Sequence, residues 1–346
     1  VTSVAVVGAA GYAGIETVRW VLAHPHLTLS VATSTADKGA PLASVYPALA
    51  GHTELAFTDP DPDAIAKAAE VAILAVPHTA SLSLTPKLLA LGVKVIDLSA
   101  DFRLADAAVY EESYATPHTA PELLTEAVYG LPELDRSRLA GARLVACPGC
   151  YPTATILAAM PALEAGLLAG GRVIVDAKSG VSGAGRAAAA GTHFCTVNEA
   201  LAPYKVAVHR HTSEIEQGLS TASGSPVSAT FAPHLVPMTR GLLSTVYIQL
   251  NDALTTAAAH ALYAQRYAEE PFVTVCEPGA MPSTADVRGT NRASVGVAVD
   301  ERSSTLVAAC AIDNLGKGAA SQGIQCLNAV LGYPETTGLD MVGEVV

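Results

Sequence analysis

The feature that most constrains the fold stands at the start of the chain. A β-branched run, Ser3-Val4-Ala5-Val6-Val7, leads into Gly8-Ala9-Ala10-Gly11-Tyr12-Ala13-Gly14, and a helical pattern over 15–23 follows. A strand, a glycine turn and a helix in this order bring backbone N–H groups to the positive end of a helix, where a pyrophosphate can sit. The spacing is a variant, because the common fingerprint has its first two glycines one residue closer. Taken alone, the turn also fits a tight corner in an α/β protein that binds no nucleotide. Its place after the first strand of an alternating pattern points to a dinucleotide.

That alternation continues, with strands predicted over 27–33, 71–76, 93–98 and 143–146 and helices between them, one over 80–91. Strands alternating with helices imply right-handed crossovers and a parallel sheet. Beyond residue 173 the texture changes. Strands predicted over 173–177, 205–208, 227–232, 243–250 and 294–300 are separated by long irregular segments, which implies an α+β domain with a mixed or antiparallel sheet. A helix is predicted over 314–330. Two domains suit a chain of 346 residues, at roughly 100–200 residues per domain.

Composition narrows the partners. Half the residues are apolar and the net charge is −12, which supports a large core and argues against nucleic acid or an anionic membrane. A local basic site for a small phosphorylated ligand stays open. The uncharged stretch 144–163 has the length of about 20 residues that can span a bilayer. It contains Pro148, Gly149, Pro152 and Pro161, so a buried helix and its entry loop is the expectation. The first ten residues lack the basic start and apolar stretch of a secretory signal; Val1 in place of Met fits an unusual start codon or a trimmed chain. Six cysteines, at 147, 150, 195, 276, 310 and 326, are too sparse for a disulfide scaffold, so reduced thiols in a cytoplasm are expected.

The second strand ends near Ser34. A site selective for NAD usually places an acid about 20 residues past the glycine turn. Here Ser34 and Thr35 are neutral hydroxyls and Lys38 is a cation, which favours a 2′-phosphate and hence NADP. Asp37 could reach the ribose instead. Ligands bind at the carboxyl ends of parallel strands, which adds Ala75, Pro77 and Ser99 to the cofactor candidates and makes Arg103, in Asp101-Phe102-Arg103, a candidate for bidentate phosphate binding. An ordinary Arg–Asp surface pair is the alternative.

Cys147-Pro148-Gly149-Cys150 follows a strand and precedes an apolar helix. It suits a redox pair, half a zinc site, an inert core cysteine, or a lone nucleophile whose thiolate the helix dipole stabilises. No second Cys-x-x-Cys exists, so no metal is expected. With a nicotinamide domain upstream the nucleophile is the most productive reading. Cys150 is favoured over Cys147, which stays at the buried strand end. Its proton partner is sought in Val208-His209-Arg210-His211-Thr212-Ser213-Glu214-Ile215-Glu216. Ser213 and Glu216 have capping-box spacing, so a helix is expected to start there. His209 and His211 would share a face of an extended segment. His78 and His193 are further candidates to line the cofactor cleft. The small-residue loop 178–186 suits close approach of a flat ligand or anion binding by backbone amides; a flexible surface loop is the alternative.

Together these motifs resemble the N-acetyl-gamma-glutamyl-phosphate reductase family, the NADPH-dependent reductases of arginine biosynthesis. The resemblance rests on residues 8–14, Asp97-Leu98-Ser99-Ala100-Asp101-Phe102-Arg103, Tyr129-Gly130-Leu131-Pro132-Glu133, residues 148–153, 179–186, 209–217 and 313–320, in the family's order over nearly the whole chain. Aspartate-semialdehyde dehydrogenase is a more distant relative with the same chemistry. The resemblance implies an α/β fold: a Rossmann-type parallel-sheet domain of 1–147 and 314–346, and an α+β catalytic and dimerisation domain of 148–313 with a mixed sheet. It implies catalysis by Cys150 with His209 and His211. NADP contacts would come from Gly8, Gly11, Tyr12, Ala13, Gly14, the Ser34 region, Ser179, Gly180, Ser182, Gly183 and Asn314. Tyr151 and Arg210 join Arg103 as substrate candidates. The arginine often expected after the second strand's serine is Thr35 here, so 2′-phosphate binding would rest on Ser34 and Lys38. A homodimer or homotetramer is expected. The expected reaction is thioester formation at Cys150, loss of phosphate and hydride reduction, with His209 favoured as acid–base because His211 abuts the helix cap. Aspartyl phosphate or a carrier-linked amino-adipyl phosphate is the rival substrate, and a non-catalytic NADP-binding sensor the rival of another class.

Overall fold

The computed structural model describes residues 1–343. The chain divides into two compact units. The first comprises Val1–Pro148 and Ala319–Met341, and the second contains Gly149–Gly318.

The first unit is built on a six-stranded parallel sheet. Its elements are β1 (Thr2–Val7), α1 (Tyr12–Ala23), β2 (Leu27–Ala32), α2 (Pro62–Ala68), β3 (Val71–Leu74), α3 (Ala80–Ala90), β4 (Lys94–Asp97), α4 (Ala107–Tyr114), β5 (Val128–Tyr129) and β6 (Leu144–Ala146). The strand order is β2-β1-β3-β4-β6-β5, and all pairs are parallel. Val71, Ala72, Ile73 and Leu74 of β3 are all fully buried, as expected of a central parallel strand covered on both faces. Between β1 and β3 the order reverses, and such a switch point opens a crevice at the strands' carboxyl ends.

The C-terminal helix α8 (Ser321–Leu331) belongs to this unit. Gly323 lets it lie close, since a Cβ there would stand 2.9 Å from Leu98 and 3.5 Å from Ile96. Polar clasps add to the packing: Gln322 donates to the Gly130 carbonyl at 2.9 Å, and His24 Nε2 meets Asn328 Oδ1 at 3.0 Å. The helix predicted over 314–330 is therefore partly corrected, because residues Gly316–Ala320 form a π-helical turn before α8 begins.

The second unit holds α5 (Cys150–Glu164), β7 (Leu168–Gly180), β8 (Ala202–Pro203), α6 (His211–Ser223), β9 (Ser228–Val236), β10 (Leu242–Leu250), α7 (Thr256–Tyr267), β11 (Val273–Val275), β12 (Ala293–Asp300) and β13 (Thr305–Ile312). Its seven-stranded sheet, β11-β12-β13-β10-β7-β9-β8, is mixed. Strand β7 runs parallel to β9 and antiparallel to β10. The alternation of β10 is regular: Leu242, Val246 and Ile248 are buried, while Tyr247 points to the opposite face and is exposed. Its partner Ile174 is 47% exposed, so one sheet face carries apolar residues in solvent. The uncharged stretch ahead of residue 163 resolves into β6, a short turn and the buried helix α5. Among the described residues no helix is long and apolar enough to cross a membrane.

Two expectations fail in this unit. Residues 205–208 are turns rather than a strand; Lys205 and Ala207 have positive φ, and Val206 and Val208 stand exposed. Thus His209 and His211 do not share an extended face. Helix α6 starts at His211, two residues ahead of Ser213, with no side-chain cap. Glu216 Oε1 accepts from Ala229 N–H at 2.9 Å instead of closing a capping box.

Candidate active site

In the first unit the glycine turn is forced by sterics. Gly8 has φ +81°, and a Cβ there would stand 2.4 Å from the Ala75 carbonyl oxygen. A Cβ at Gly14 would stand 2.2 Å from the Gly8 oxygen, whereas one at Gly11 would meet only that oxygen, at 3.5 Å. Gly11 caps α1 without a side-chain bond, so the positive end of α1, at Tyr12, Ala13 and Gly14, is accessible to an anion. This glycine cradle beside Ala75 fits a dinucleotide pyrophosphate.

Beyond β2, Ser34 is buried and its hydroxyl donates to Asp37 Oδ2 at 2.9 Å. Thr35 is exposed. Lys38 is exposed and pairs with Asp59. Ala75 and the exposed Pro77 and His78 follow β3.

Ser99 and Arg103 are drawn into the protein's own bonding. The Ser99 hydroxyl donates to Asp97 Oδ2 at 2.9 Å, and its N–H to Asp97 Oδ1 at 2.8 Å. Asp97 is fully buried, and burial pushes its carboxyl up to about 6. Arg103 is buried, with Nε donating to the Cys147 carbonyl at 2.7 Å and Nη2 to that of Leu98 at 2.8 Å. Its fork is thus turned on the main chain rather than presented as a free bidentate clamp. Cys147 is fully buried, and the neighbouring Cys326 thiol together with burial pushes its own thiol up. That leaves it unreactive.

In the second unit Cys150 is the first residue of α5, partly exposed, and all six cysteines are free thiols. Gly149 caps the helix, and its N–H donates to the buried Glu214 carboxylate at 2.8 Å. Tyr151 is buried beside Cys150, and burial raises its phenol far above the ordinary range. Tyr204 donates to the Tyr151 oxygen at 3.2 Å, and burial pushes its phenol up to about 12; the Cys150 thiolate charge adds to both shifts.

Aromatic rings close around this point. His209 lies 5.8 Å from Tyr151, 5.5 Å from Tyr204, 5.4 Å from Phe231 and 4.8 Å from His211, centroid to centroid. Burial, with the charges of Lys205 and Arg210, pulls the His209 imidazole down to about 4. The His211 N–H donates to His209 Nδ1 at 3.1 Å. His209 is therefore neutral near pH 7 with its proton on Nε2. Arg210 is exposed beside it. The sequence reading missed Tyr204 and Glu214. Tyr204 lies outside any motif, and nothing in the spacing of Glu214 tied it to Gly149.

The second loop is pinned by Asn314. Its amide donates to Ser182 Oγ at 2.9 Å, and its Oδ1 accepts from Gly241 N–H at 2.8 Å. Gly183 lies against Ser179 and Asn314, and a Cβ at Gly180 would stand 2.8 Å from the Thr239 carbonyl oxygen. Ser179 reaches the Tyr151 hydroxyl. Cys150, Tyr151, His209, His211 and the Ser179–Gly183 loop thus fall in one unit, and the glycine turn, Ser34 and Ala75 in the other. His193 is exposed. Among the described residues no cluster of His, Cys, Asp and Glu could hold a metal ion.

The NAD binding domain of the semialdehyde dehydrogenases matches residues 3–142, and their dimerisation domain matches residues 150–314. N-acetyl-gamma-glutamyl-phosphate reductase of Syntrophobacter fumaroxidans is 50% identical over 337 residues, 97% of each chain. That of Symbiobacterium thermophilum is 49% identical over 343 residues, 99% of this chain and 98% of its own. Aspartate semialdehyde dehydrogenase II from Vibrio cholerae, complexed with ASA, matches with a TM-score of 0.74 at 16% identity, covering 96% of this chain and 98% of that one. The Candida albicans aspartate semialdehyde dehydrogenase with NADP matches with a TM-score of 0.71 at 12% identity, covering 95% and 98%. These two share the fold with the present chain.

Proposed function

The chain belongs to the N-acetyl-gamma-glutamyl-phosphate reductase family, and on that premise we propose that it reduces N-acetyl-gamma-glutamyl phosphate to N-acetylglutamate 5-semialdehyde, within arginine biosynthesis, through a thioester on Cys150. It is an oxidoreductase that uses a nicotinamide dinucleotide. The observation that carries the mechanism is a partly exposed thiol in the first turn of α5, next to Tyr151, whose ring packs against both His209 and His211.

Cys150 attacks the acyl carbon, the carbon–oxygen bond to phosphate breaks, and phosphate leaves. A thioester accepts hydride more readily than an ester would, which is the gain from a sulfur nucleophile. A nicotinamide dinucleotide held at the glycine turn of residues 8–14 would supply the hydride that reduces the thioester. A histidine gives a proton to the resulting oxyanion and takes it back as the carbon–sulfur bond breaks and the Cys150 thiolate returns. We assign the acid–base role to His211 rather than His209. His209 spends Nδ1 on the His211 N–H and stays neutral, so it serves as a fixed hydrogen-bond donor through Nε2. His211 carries the proton. Arg210, exposed beside the pair, takes over from the internally bonded Arg103 as the cation for the substrate's anionic groups.

The cofactor is NADP. Residues 8–14 would hold its pyrophosphate, and Ser34 and Lys38 its 2′-phosphate. The loop Ser179–Gly183, pinned by Asn314, would supply the contacts to the nicotinamide. The chain acts as a homodimer or homotetramer in a cytoplasm, consistent with its dimerisation domain, the exposed Ile174–Tyr247 pair and its free thiols.

The test is NADPH production from N-acetylglutamate semialdehyde, NADP and phosphate, with wild type and Cys150→Ser. Phosphate-dependent activity that vanishes in Cys150→Ser is expected. An inactive wild type that still binds NADP would move the reading to aspartyl or carrier-linked amino-adipyl phosphate, or to a sensor.

A further inference from the structure

The turn after β3 is held in a conformation its sequence disfavours. Ala80 N–H closes the turn on the Pro77 carbonyl at 3.3 Å. Thr79, at the position where such a turn calls for glycine, has φ +74° and ψ −28°. A β-branched residue at positive φ is an outlier that persists only where its surroundings over-determine it. Thr79 itself is exposed, so packing of its side chain is not what holds it.

The holding group is Asp101, in the segment after β4. Its Oδ1 accepts the Thr79 N–H at 2.9 Å and the Tyr110 hydroxyl at 2.8 Å. Asp101 and Tyr110 are both fully buried. The other carboxylate oxygen, Oδ2, is buried with no hydrogen-bond partner. Leaving such an oxygen unsatisfied is costly. A second contact steadies the turn, the His78 ring lying 5.9 Å from Tyr114.

The turn matters because of where it stands. Strands β1 and β3 flank the point at which strand order reverses, and Gly8 lies so close to Ala75 that no Cβ fits between them. The segment 75–79 therefore forms one wall of the crevice whose other wall is the glycine turn. We propose that Asp101 is a positioning residue for the dinucleotide: by clamping the Thr79 N–H it fixes this wall in the shape that accepts the cofactor. The inference rests on the reading of the glycine turn as the dinucleotide site.

Calorimetric titration of the full chain with NADP tests it, alongside steady-state kinetics. The strain at Thr79 corresponds to about a tenfold to hundredfold weakening of NADP binding in Asp101→Ala, with kcat at saturating cofactor within about twofold, since KM and not the chemistry bears the change. Glycine adopts positive φ freely, so Thr79→Gly in the Asp101→Ala background should recover most of the affinity. Thr79→Pro removes the N–H donor and forces φ negative at an exposed position. It should weaken binding like Asp101→Ala, and it keeps the test decisive if Asp101→Ala does not fold. A merely structural Asp101 would lower the melting temperature, leave the NADP dissociation constant of the folded protein unchanged and gain nothing from Thr79→Gly; that result overturns the proposal. Wild type that fails to bind NADP overturns the dinucleotide reading and this proposal with it, whereas wild-type binding with unchanged variants overturns this proposal alone.

Discussion

Replacing His209 by asparagine removes a group that folding keeps neutral, and the loss should be visible as a change in the pH dependence of stability. The imidazole falls from its ordinary 6.5 to about 4 on folding. A depressed folded value contributes stability that is present above 6.5 and is lost as pH falls toward 4, because the unfolded chain takes up the proton first. At pH 8 neither state is protonated. At pH 4.5 the unfolded imidazole is almost fully charged and the folded one mostly neutral, which costs the native state about 2.5 kcal/mol. Asp97 acts in the opposite sense: raised from 3.8 to about 6, it favours the folded state at low pH and loses that advantage as pH rises through 6. It is present in both proteins and cancels in their difference. The side-chain carbonyl introduced by His209→Asn would keep an acceptor for the His211 N–H, so the fold should survive. Urea unfolding followed by circular dichroism at pH 8 and pH 4.5, at one protein concentration because oligomers unfold in a concentration-dependent way, should show the stability of wild type relative to His209→Asn falling by about 2.5 kcal/mol. A difference that stays flat between the two pH values would refute the argument that burial suppresses protonation of His209.

Three further outcomes follow from the geometry. His211→Asn should lower kcat by about 10²–10⁴, the range for loss of a general acid–base, while His209→Asn retains far more activity; equal losses would return the proton to His209. Gly14→Ala should abolish measurable NADP binding in a titration, since its methyl would stand 2.2 Å from the Gly8 oxygen and force the cradle open. Gly218→Ala, whose methyl would stand 2.2 Å from Ile156 Cδ1 on the helix that carries Cys150, should cost about 1–3 kcal/mol of stability in urea.

Much of the first unit was legible because its strands are short β-branched runs ended by Gly, Pro or Ser. Strands β1 to β4 lie within about two residues of their expected bounds, within the usual scatter of element ends. The second unit was harder for a physical reason. Strand β13, Thr-Leu-Val-Ala-Ala-Cys-Ala-Ile, is buried nearly throughout, so it shows no alternation, and its alanines favour helix as readily as strand. Residues 205–208 misled in the opposite way: alternating valines suggested a strand, yet the chain turns there and leaves them exposed. The structure puts both Cys150 and the His209–His211 pair in the second unit, and both were legible as motifs. The tautomer of His209 was not, because it depends on a backbone N–H two residues on, and the role of Asp101 depends on a dihedral angle at Thr79 that no spacing reveals.

The first unit begins at residue 1 yet takes its last helix from residues 321–331. The main span of the second unit runs from 149 to 318. On the ribosome, where domains fold as they emerge, residues 149–318 are thus made before the helix that covers the first unit's sheet. Until α8 arrives, Ile96 and Leu98 lack the cover that Gly323 brings, and His24 and the Gly130 carbonyl lack Asn328 and Gln322. A chain cut after Gly318 would therefore keep the whole of residues 149–318, with Cys150, and leave the nucleotide fold without the helix that covers Ile96 and Leu98.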